Sequence, residues 1–312
     1  MSMATKSISR KHHYLPQAYL AAFTNTGTKN GQLCVLDLED GRAFSTSPIN
    51  LAAERDFNRV DIEGHSIDAI ENALASFEGN AVNSIRKVIN SHNFPNDEDW
   101  NLIINLLALI AIRNPQRRRS FNIAREQEIE IIGDLLAKDE NMWNSQVKAA
   151  REAGEHIPEV TFGEFKSFIE KREYKCVFPS QDNLRVEFSA LDALLPLLGQ
   201  RTWSVLLAPT DGPEFICSDH PVTLMPKYKR DGLIGYGIRE TEVFFPLGRR
   251  VGFYGVFESP LNPVVNCKPE NVARMNAQVM KSADRHVYSA LDTFSVWTNG
   301  AIEKVLCEHK FN

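Results

Sequence analysis

The sequence predicts an α+β fold: a short N-terminal hairpin and a helical bundle around a buried central helix, followed by a mainly antiparallel sheet. Helical periodicity dominates residues 66–136, and further amphipathic segments lie at 141–153 and 161–173. From about residue 175, β-branched and aromatic runs alternate with glycine and proline. Helices followed by strands are typical of α+β folds, because doubly wound folds alternate the two.

The N-terminal region predicts a short helix and then a hairpin. Residues 12–23 favour a helix anchored by aromatic side chains, since Pro16 suits a first helical position. Two strand-like segments, 32–38 and 43–45, flank the turn signal Asp40-Gly41. We therefore expect an antiparallel pair of strands here.

Two long helices follow in the prediction. Residues 67–88 place apolar side chains every three or four positions, which indicates an amphipathic helix with Ser66 as its N-cap. The next helix begins at 95–97 and is apolar around most of its circumference, as buried central helices are. Pro115 should stop or kink it before a further helical segment at 116–136.

The second half of the chain predicts the sheet. The segments with strand length and bounding turns are 203–209, 214–217, 242–247 and 251–257. A helix is expected at 271–282, and extended segments at 285–289 and 294–298. We interpret residues 1–312 as a single domain, with 1–174 mainly helical and 175–312 rich in sheet as the alternative division.

Composition and motifs exclude several protein classes. Forty acidic and 35 basic residues give a net charge of −5, and 43% of the residues are hydrophobic, which indicates a soluble globular chain. This balance does not favour nucleic-acid binding by overall charge, although it does not exclude binding through a local basic patch. Glycine-rich nucleotide loops, H-E-x-x-H and G-x-S-x-G do not occur, which disfavours NTPases, Rossmann dehydrogenases, zincins and standard serine hydrolases.

The sequence also indicates a cytoplasmic location. Five scattered cysteines without a C-x-x-C pair suggest neither a zinc ribbon nor a disulfide framework, so the reducing cytosol is the simplest compartment. The first residues lack the apolar stretch of a secretory signal. The longest nearly apolar run, 102–112, is well short of the roughly 20 residues that span a bilayer, so we expect no membrane span.

The adjacent pair His12-His13, beside Tyr14, is the first candidate for chemistry. Imidazole titrates near neutral pH and coordinates divalent metals, so one histidine is a candidate general base or metal ligand. Adjacent side chains diverge in regular structure, and we expect at most one of them to face a given site. The alternative is a structural histidine that caps the following helix or bonds a core carbonyl.

The segment Ser218-Asp219-His220 is the second candidate, at the end of a short apolar strand. Pro221 keeps His220 out of helical geometry. Consecutive side chains on an extended segment alternate in direction, so these three residues cannot form a triad alone. We expect Asp219 to reach His12 or His13, the alternative being a turn in which Asp219 accepts nearby backbone N–H groups.

Glutamate and arginine side chains supply the remaining candidates. Glu71 and Glu78 lie on one line at the edge of the apolar stripe, where carboxylates bind divalent metals or pair with basic residues. Arg113 ends the central helix, where the helix dipole favours a cation, and arginine also binds phosphate in bidentate fashion. Arg117 and the two arginines that follow it make a dense basic run, which we expect to be solvated.

These residues resemble a mostly bacterial family catalogued as the domain of unknown function number 4238, which opens with His-His-Tyr-x-Pro-x-x-Tyr-Leu-x-x-Phe. The matching positions are His12, His13, Tyr14, Pro16, Tyr19, Leu20, Phe23, Arg113, Pro115, Ser218, Asp219, Pro221, Val222, Pro246, Leu247, Asn276, Val287, Tyr288 and Ser289. The resemblance covers nearly the whole chain, which favours a single domain. It implies a constellation of His, Arg, Asp, Asn and Glu side chains without a reaction.

Two hypotheses for function follow. The first is an intracellular bacterial hydrolase of phosphodiester bonds, nuclease-like, with or without a divalent metal ion and with a nucleic acid or nucleotide as partner. His12 or His13 would be the base or a metal ligand, Asp219 with Glu78 would bind the ion or orient the histidine, and Arg113 would stabilise phosphate. The metal-ligand candidates are Glu71, Glu78 and Asp219. The candidates for substrate contact are Tyr14, Arg117, Ser218, His220 and Asn276.

The second hypothesis is a non-catalytic ligand- or nucleic-acid-binding module of a bacterial defence or mobile-element system. The aromatic and apolar residues of the N-terminal motif are of the kind that pack a segment onto a core. Under this hypothesis the motif residues bind a ligand or brace the fold.

Overall fold

The computed structural model describes residues 10–60, 64, 66–228, 232–258 and 262–307, and within them it confirms the α+β class. The helices are α1 Gln17–Leu20, α2 Ala69–Ser91, α3 Asp97–Ile112, α4 Pro115–Leu136, α5 Glu140–Glu152, α6 Phe162–Lys171, α7 Ser180–Gly199 and α8 Pro269–Ser282. The first strands are β1 Lys11–His13, β2 Leu33–Asp37, β3 Ala43–Thr46 and β4 Ala53–Arg55. The later strands are β5 Thr202–Leu207, β6 Cys217–Ser218, β7 Thr223–Pro226, β8 Thr241–Gly248, β9 Val251–Val256, β10 Val264–Asn266, β11 His286–Ser289, β12 Thr293–Thr298 and β13 Ala301–Leu306.

The chain forms two compact units, of which the larger comprises residues 1–115 and 180–312 and the smaller residues 116–179. A single domain over 1–312, or a division after residue 174, stays a prediction.

The larger unit holds the sheets, which are mainly antiparallel as predicted. One has the strand order β10-β5-β9-β8-β7, and only its β10–β5 pair is parallel. A second has the order β3-β2-β11-β6. The two remaining sheets are the pairs β1–β4 and β12–β13. In the predicted β2–β3 hairpin, Gly41 adopts a φ of +70°, which glycine tolerates best.

Helix α3 is the buried central element that the sequence predicts. Ile103, Leu106, Leu107 and Ala108 are all fully buried. The helix begins after Asn96, whose side chain accepts the backbone N–H of Asp99 at 2.8 Å. It ends at Ile112, because the residue before Pro115 is sterically kept out of helical geometry.

Helix α2 confirms the predicted stripe but corrects its cap. Val82, Ile85 and Val88 are buried, and the opposite side of the helix faces solvent. Ser66 as N-cap is wrong: the N-cap residue is Asp68, and the hydroxyl of Ser66 donates to the Asp68 carboxylate instead. The helix therefore starts at Ala69.

The prediction that strands begin at about residue 175 is wrong, since α7 comes first and the sheet starts at Thr202. Leu184, Leu194 and Leu198 are buried on one side of α7, and burial of this helical stripe outweighs the disfavoured Pro196 inside the helix. The later predictions are confirmed by α8, β11 and β12.

The smaller unit consists of the body of α4 with α5 and α6, which confirm the predicted helical segments. Its core is aromatic: the Trp143 ring lies 5.9 Å from that of Phe162 and 5.8 Å from that of Phe165. Arg172 donates to Asp134 at 2.7 Å and thereby links the end of α6 to α4. Among the described helices of the whole chain, none has the length and apolar composition that crossing a membrane requires.

Candidate functional site

The two histidines lie on the short strand β1, not in the predicted helix, which starts only at Gln17. In the β1–β4 pair His12 lies opposite Glu54 and His13 opposite Ala53. Because successive side chains on a strand point to opposite sides, His12 is buried at 2% exposure while His13 is half-buried. The two imidazoles therefore lie in different environments.

His12 accepts a main-chain hydrogen bond at its Nδ1 atom. The donor is the backbone N–H of Asn58, at 2.8 Å. A neutral imidazole that accepts at Nδ1 carries its proton on Nε2, so His12 presents an N–H group to its other side. This arrangement suits a hydrogen-bond donor better than a general base or a metal ligand.

The side chain of Asn58 connects His12 to the end of α3. Its Oδ1 atom accepts a 2.6 Å hydrogen bond from Nη2 of Arg113, and its Nδ2 group donates to the carboxylate of Glu71. Nη1 of Arg113 lies 3.8 Å from Oε1 of Glu78. We call His12, Asn58, Glu71, Glu78 and Arg113 the Arg113 cluster.

Arg113 is one of the largest fully buried side chains in the described residues, at 1% exposure. Its guanidinium lies 5.9 Å from the centre of the Phe57 ring. A buried guanidinium needs hydrogen-bond acceptors, of which Asn58 Oδ1 is one, and the Glu78 carboxyl lies 3.8 Å from it. The favourable position at a helix C-terminus therefore explains only part of why an arginine stands there.

The carboxyl group of Glu78 has a strongly perturbed pKa. Burial raises its pKa from 4.5 to about 7, although the charge of Arg113 opposes the rise, and the neighbouring charge of Glu71 adds to it. Both protonation states are therefore populated near neutral pH. Groups tuned in this way are typical of proton transfer in active sites.

His13 is held in the opposite tautomer to His12. Its Nδ1–H donates to the carbonyl oxygen of Leu51 at 3.0 Å, and the side-chain amide of Gln17 donates to its Nε2 at 2.9 Å. Burial lowers the pKa of His13, while the Leu51 hydrogen bond and the charge of Glu71 counteract this. A neutral imidazole with its lone pair on Nε2 is competent as a base once Gln17 turns away.

Asp219 is engaged elsewhere. Its carboxylate accepts the backbone N–H groups of Asp284, Arg285 and His286, each at 2.8 Å. Burial raises the pKa of Asp219, and these three hydrogen bonds oppose the rise. The carboxylate thus fixes the connection from α8 to β11. The predicted reach to His12 or His13 is replaced by backbone partners 65 to 67 residues away in the chain.

The neighbours of Asp219 also bind the main chain. Ser218 Oγ accepts the backbone N–H of His220 at 3.2 Å, in a local turn that keeps both residues buried. The carbonyl oxygen of Asp219 accepts a 2.9 Å hydrogen bond from the side-chain amide of Asn114. Asn114 directly follows Arg113, so the end of α3 bonds to the 218–220 segment directly and is connected to His12 through Asn58.

Two further residues predicted to contact substrate are Tyr14 and Asn276. The Tyr14 ring lies 6.1 Å from the Phe57 ring. The amide of Asn276 accepts from Ile216 N–H at 3.1 Å and donates to the carbonyl oxygens of Glu214 at 2.8 Å and Ser295 at 2.9 Å, so it braces main chain.

The arginines after Arg113 belong to the smaller unit. Arg117 is half-buried there, and Arg118 is buried at 9% exposure, which contradicts the expectation that the whole run is solvated.

The predicted metal ligands do not form a ligand set. Among the described residues, no group of three or more His, Cys, Asp and Glu side chains is arranged to hold a metal ion. Glu71 and Glu78 belong to the Arg113 cluster, whereas the Asp219 carboxylate binds the backbone at 284–286. Glu71 and Glu78 therefore share one cluster, and the Asp219 carboxylate has other partners.

Asn58 is the residue that sequence reasoning missed. It uses its backbone N–H, its side-chain oxygen and its amide group on three different members of the cluster. Its only sequence signal is a polar residue next to Phe57 in a segment without periodicity. Only the fold identifies it.

A comparison with protein families adds the wider context. The model of a family described as "Protein of unknown function (DUF4238)" matches residues 11–293 of the 312 residues. The chain belongs to the DUF4238 family. The match begins at β1 and ends in β12, and so includes every member of the Arg113 cluster. Neither a curated protein nor a solved structure matches this DUF4238 chain.

Proposed function

We propose that the Arg113 cluster is the active site of a phosphodiester hydrolase of the nuclease type, in a cytoplasmic bacterial protein. The observation that carries this proposal is Glu78, a mostly buried carboxyl whose pKa is raised to about 7 and which faces a buried guanidinium. Phosphodiester hydrolysis uses a group that can donate a proton at neutral pH and a cation that binds the anionic phosphate. Glu78 and Arg113 are candidates for these two roles.

In this proposal the cluster opens locally to admit substrate to the buried Arg113, which binds a phosphate oxygen, and Glu78 acts as the general acid. The positive charge of Arg113 lowers the pKa of Glu78, in opposition to burial. A phosphate that shares the guanidinium and adds its own negative charge would weaken this effect and keep Glu78 protonated. The proton would then pass to the leaving oxygen as the P–O bond breaks.

His13 is the candidate base for the attacking water. Its Nδ1–H is oriented by the carbonyl of Leu51, which leaves Nε2 to accept a proton. The water would replace Gln17 at Nε2, give up one proton to the imidazole and form the new O–P bond. His12, with its proton on Nε2, would donate a hydrogen bond within the site.

A divalent cation is compatible with the same site. Mg²⁺ is commonly held by one or two carboxylates together with substrate phosphate oxygens, rather than by a complete cage of side chains. Glu71 is the carboxylate of the cluster that would take this role, with Glu78 kept for proton transfer. The cleavage assay therefore includes Mg²⁺, Mn²⁺ and chelated conditions.

The test is cleavage of labelled single- and double-stranded DNA and RNA by the wild type, Glu78→Gln and Arg113→Lys. We expect Glu78→Gln to lower the rate by about 10² to 10⁴, the usual contribution of general acid–base catalysis. Exposed Glu303 provides the matched control, so Glu303→Gln should cleave at the wild-type rate. Absence of cleavage by the wild type under every condition, or full activity of Glu78→Gln, would refute the proposal.

A second candidate is a binding module that uses the same residues to brace the fold, with a ligand or nucleic acid as partner. It is favoured by the number of motif side chains that bond main chain, above all Asp219 and Asn276. Networks of this kind are common structural devices. If Arg113→Lys mainly lowers the melting temperature and nucleic acid binds without cleavage, this candidate replaces the first.

A further inference from the structure

A cavity lies between α1, the second half of α2 and the turn that joins β8 to β9. Its volume is about 380 Å³, within the range that small organic ligands occupy. The floor is apolar and consists of Ala18, Ala22, Val82 and Ile89. Arg86, Arg249 and Arg250 line it as well, and we call it the Arg249 pocket.

The guanidinium groups leave the pocket with an excess of positive charge. Nε and Nη2 of Arg249 donate to Glu214 at 2.6 and 2.9 Å, and Nη2 of Arg250 donates to the same carboxylate at 3.0 Å. One carboxylate thus holds two cations in place, and Arg86, exposed on α2, adds a third. Three positive charges against one negative charge favour an anionic ligand.

The backbone of the turn brings these arginines to the helix. Arg249 and Arg250 are the two residues between β8 and β9, and the register of this strand pair shifts between Pro246 and Gly248. Such irregularities re-aim the side chains that follow. A Cβ atom on Gly248 would lie 3.1 Å from Cδ1 of Ile89, so the turn approaches α2 closely at this residue.

The pocket continues the side of α2 that carries the proposed active site. Glu78, Val82 and Ile89 recur at intervals of four and seven residues, which places them along one side of the helix. From Glu78 to Arg86 the rise along the helix axis is about 12 Å. A ligand in the pocket therefore lies within the length of a short oligonucleotide from Glu78.

We propose that the Arg249 pocket binds a nucleotide, with the base on the apolar floor and the phosphate at Arg249 and Arg86. Arg86 brings N–H donors suited to phosphate, Arg249 adds its charge and its Nη1 group because its Nε and Nη2 are bonded to Glu214, and the apolar lining offers contacts for a ring. The binding itself stands on the pocket alone. Its role as a substrate subsite beside Glu78 rests on the proposed phosphodiester hydrolase function.

The test is calorimetric titration of the full chain with 5′-AMP, with adenosine, inorganic phosphate and 1-naphthoate as comparison ligands. Ala18→Leu fills the floor without changing charge, and Arg86→Gln removes a cation from an exposed position that does not endanger folding. Ala75→Leu, at an exposed position of α2 outside the pocket, is the matched control.

We expect saturable binding of AMP, at least about tenfold weaker binding of adenosine, and a loss of about tenfold in Ala18→Leu and Arg86→Gln but not in Ala75→Leu. Absence of AMP binding, or equal affinity in the wild type and both pocket variants, would overturn the proposal. Equal affinity for 1-naphthoate would overturn the nucleotide assignment. Glu78→Gln should still bind AMP, so a failure of the hydrolase proposal is distinguishable from a failure of this one.

Discussion

Replacement of Glu78 by glutamine should stabilise the protein at alkaline pH while leaving its stability below about pH 4 nearly unchanged. In the folded state burial raises the pKa of this carboxyl to about 7, whereas the ordinary value is 4.5. Between these two pH values the folded chain binds more protons than the unfolded chain. Stability therefore falls as the pH rises through this window, because the folded state has to ionise a buried acid.

The size of the effect follows from the same two values. Each pKa unit corresponds to about 1.4 kcal/mol, so ionisation of Glu78 costs the folded state about 3 kcal/mol above neutral pH. Glutamine has nearly the shape of the protonated acid and does not titrate. The free energy of unfolding of Glu78→Gln should therefore exceed that of the wild type by up to about 3 kcal/mol at pH 9.

Urea unfolding between pH 5 and pH 9 measures this difference directly, with the circular dichroism of the aromatic residues as the signal. Other titrating groups are common to both proteins and cancel in the comparison. Glu303→Gln, at an exposed position, should show no such dependence on pH. A constant difference between wild type and Glu78→Gln across the range would show that Glu78 ionises normally, and the general-acid role would lose its basis.

Three further outcomes follow from particular contacts. Asp219→Ala leaves three backbone N–H groups without their acceptor and should cost about 3 to 5 kcal/mol in urea unfolding; a loss below 1 kcal/mol would contradict this. Gly252→Ala puts a Cβ atom 2.6 Å from Cε2 of Phe244 and should lower stability by about 1 to 3 kcal/mol, whereas an unchanged melting temperature would refute the close packing. The hydrogen bond from Arg285 holds the pKa of Asp37 below its ordinary value of 3.8, so this carboxylate stabilises the fold above pH 4 and the contribution is lost as pH falls through its folded pKa. The stability of Asp37→Asn should therefore fall less than that of the wild type when the pH is lowered below 4. Identical plots of unfolding free energy against pH for the two proteins would argue against the ion pair.

Much of the fold follows from local patterns. The apolar circumference of α3 predicts its central position, and Pro115 predicts where it stops. The same reasoning failed for α7, where the buried stripe of leucines competes with Pro196 and with the strand-like residues that follow. Local propensity is weak evidence when tertiary burial decides the element.

The candidate site is only partly predictable. Spacing on α2 brings Glu71 and Glu78 to one side, and the resemblance to the family points to His12 and Arg113. No spacing rule predicts Asn58, because its three hydrogen bonds join segments distant in sequence. The sequence likewise does not predict the partners of Asp219, because they are backbone N–H groups, which every residue type except proline carries.

The hydrogen bonds at the end of α3 have a consequence for folding kinetics. The Arg113–Asn58 bond spans 55 residues of sequence and the Asn114–Asp219 bond spans 105. Closing such long loops costs chain entropy before the contacts repay it, so contacts of this kind form slowly. The Arg113 cluster should be among the last regions to reach native geometry during refolding. A chain released from synthesis would then acquire its helices and hairpins well before it acquires the Arg113 cluster.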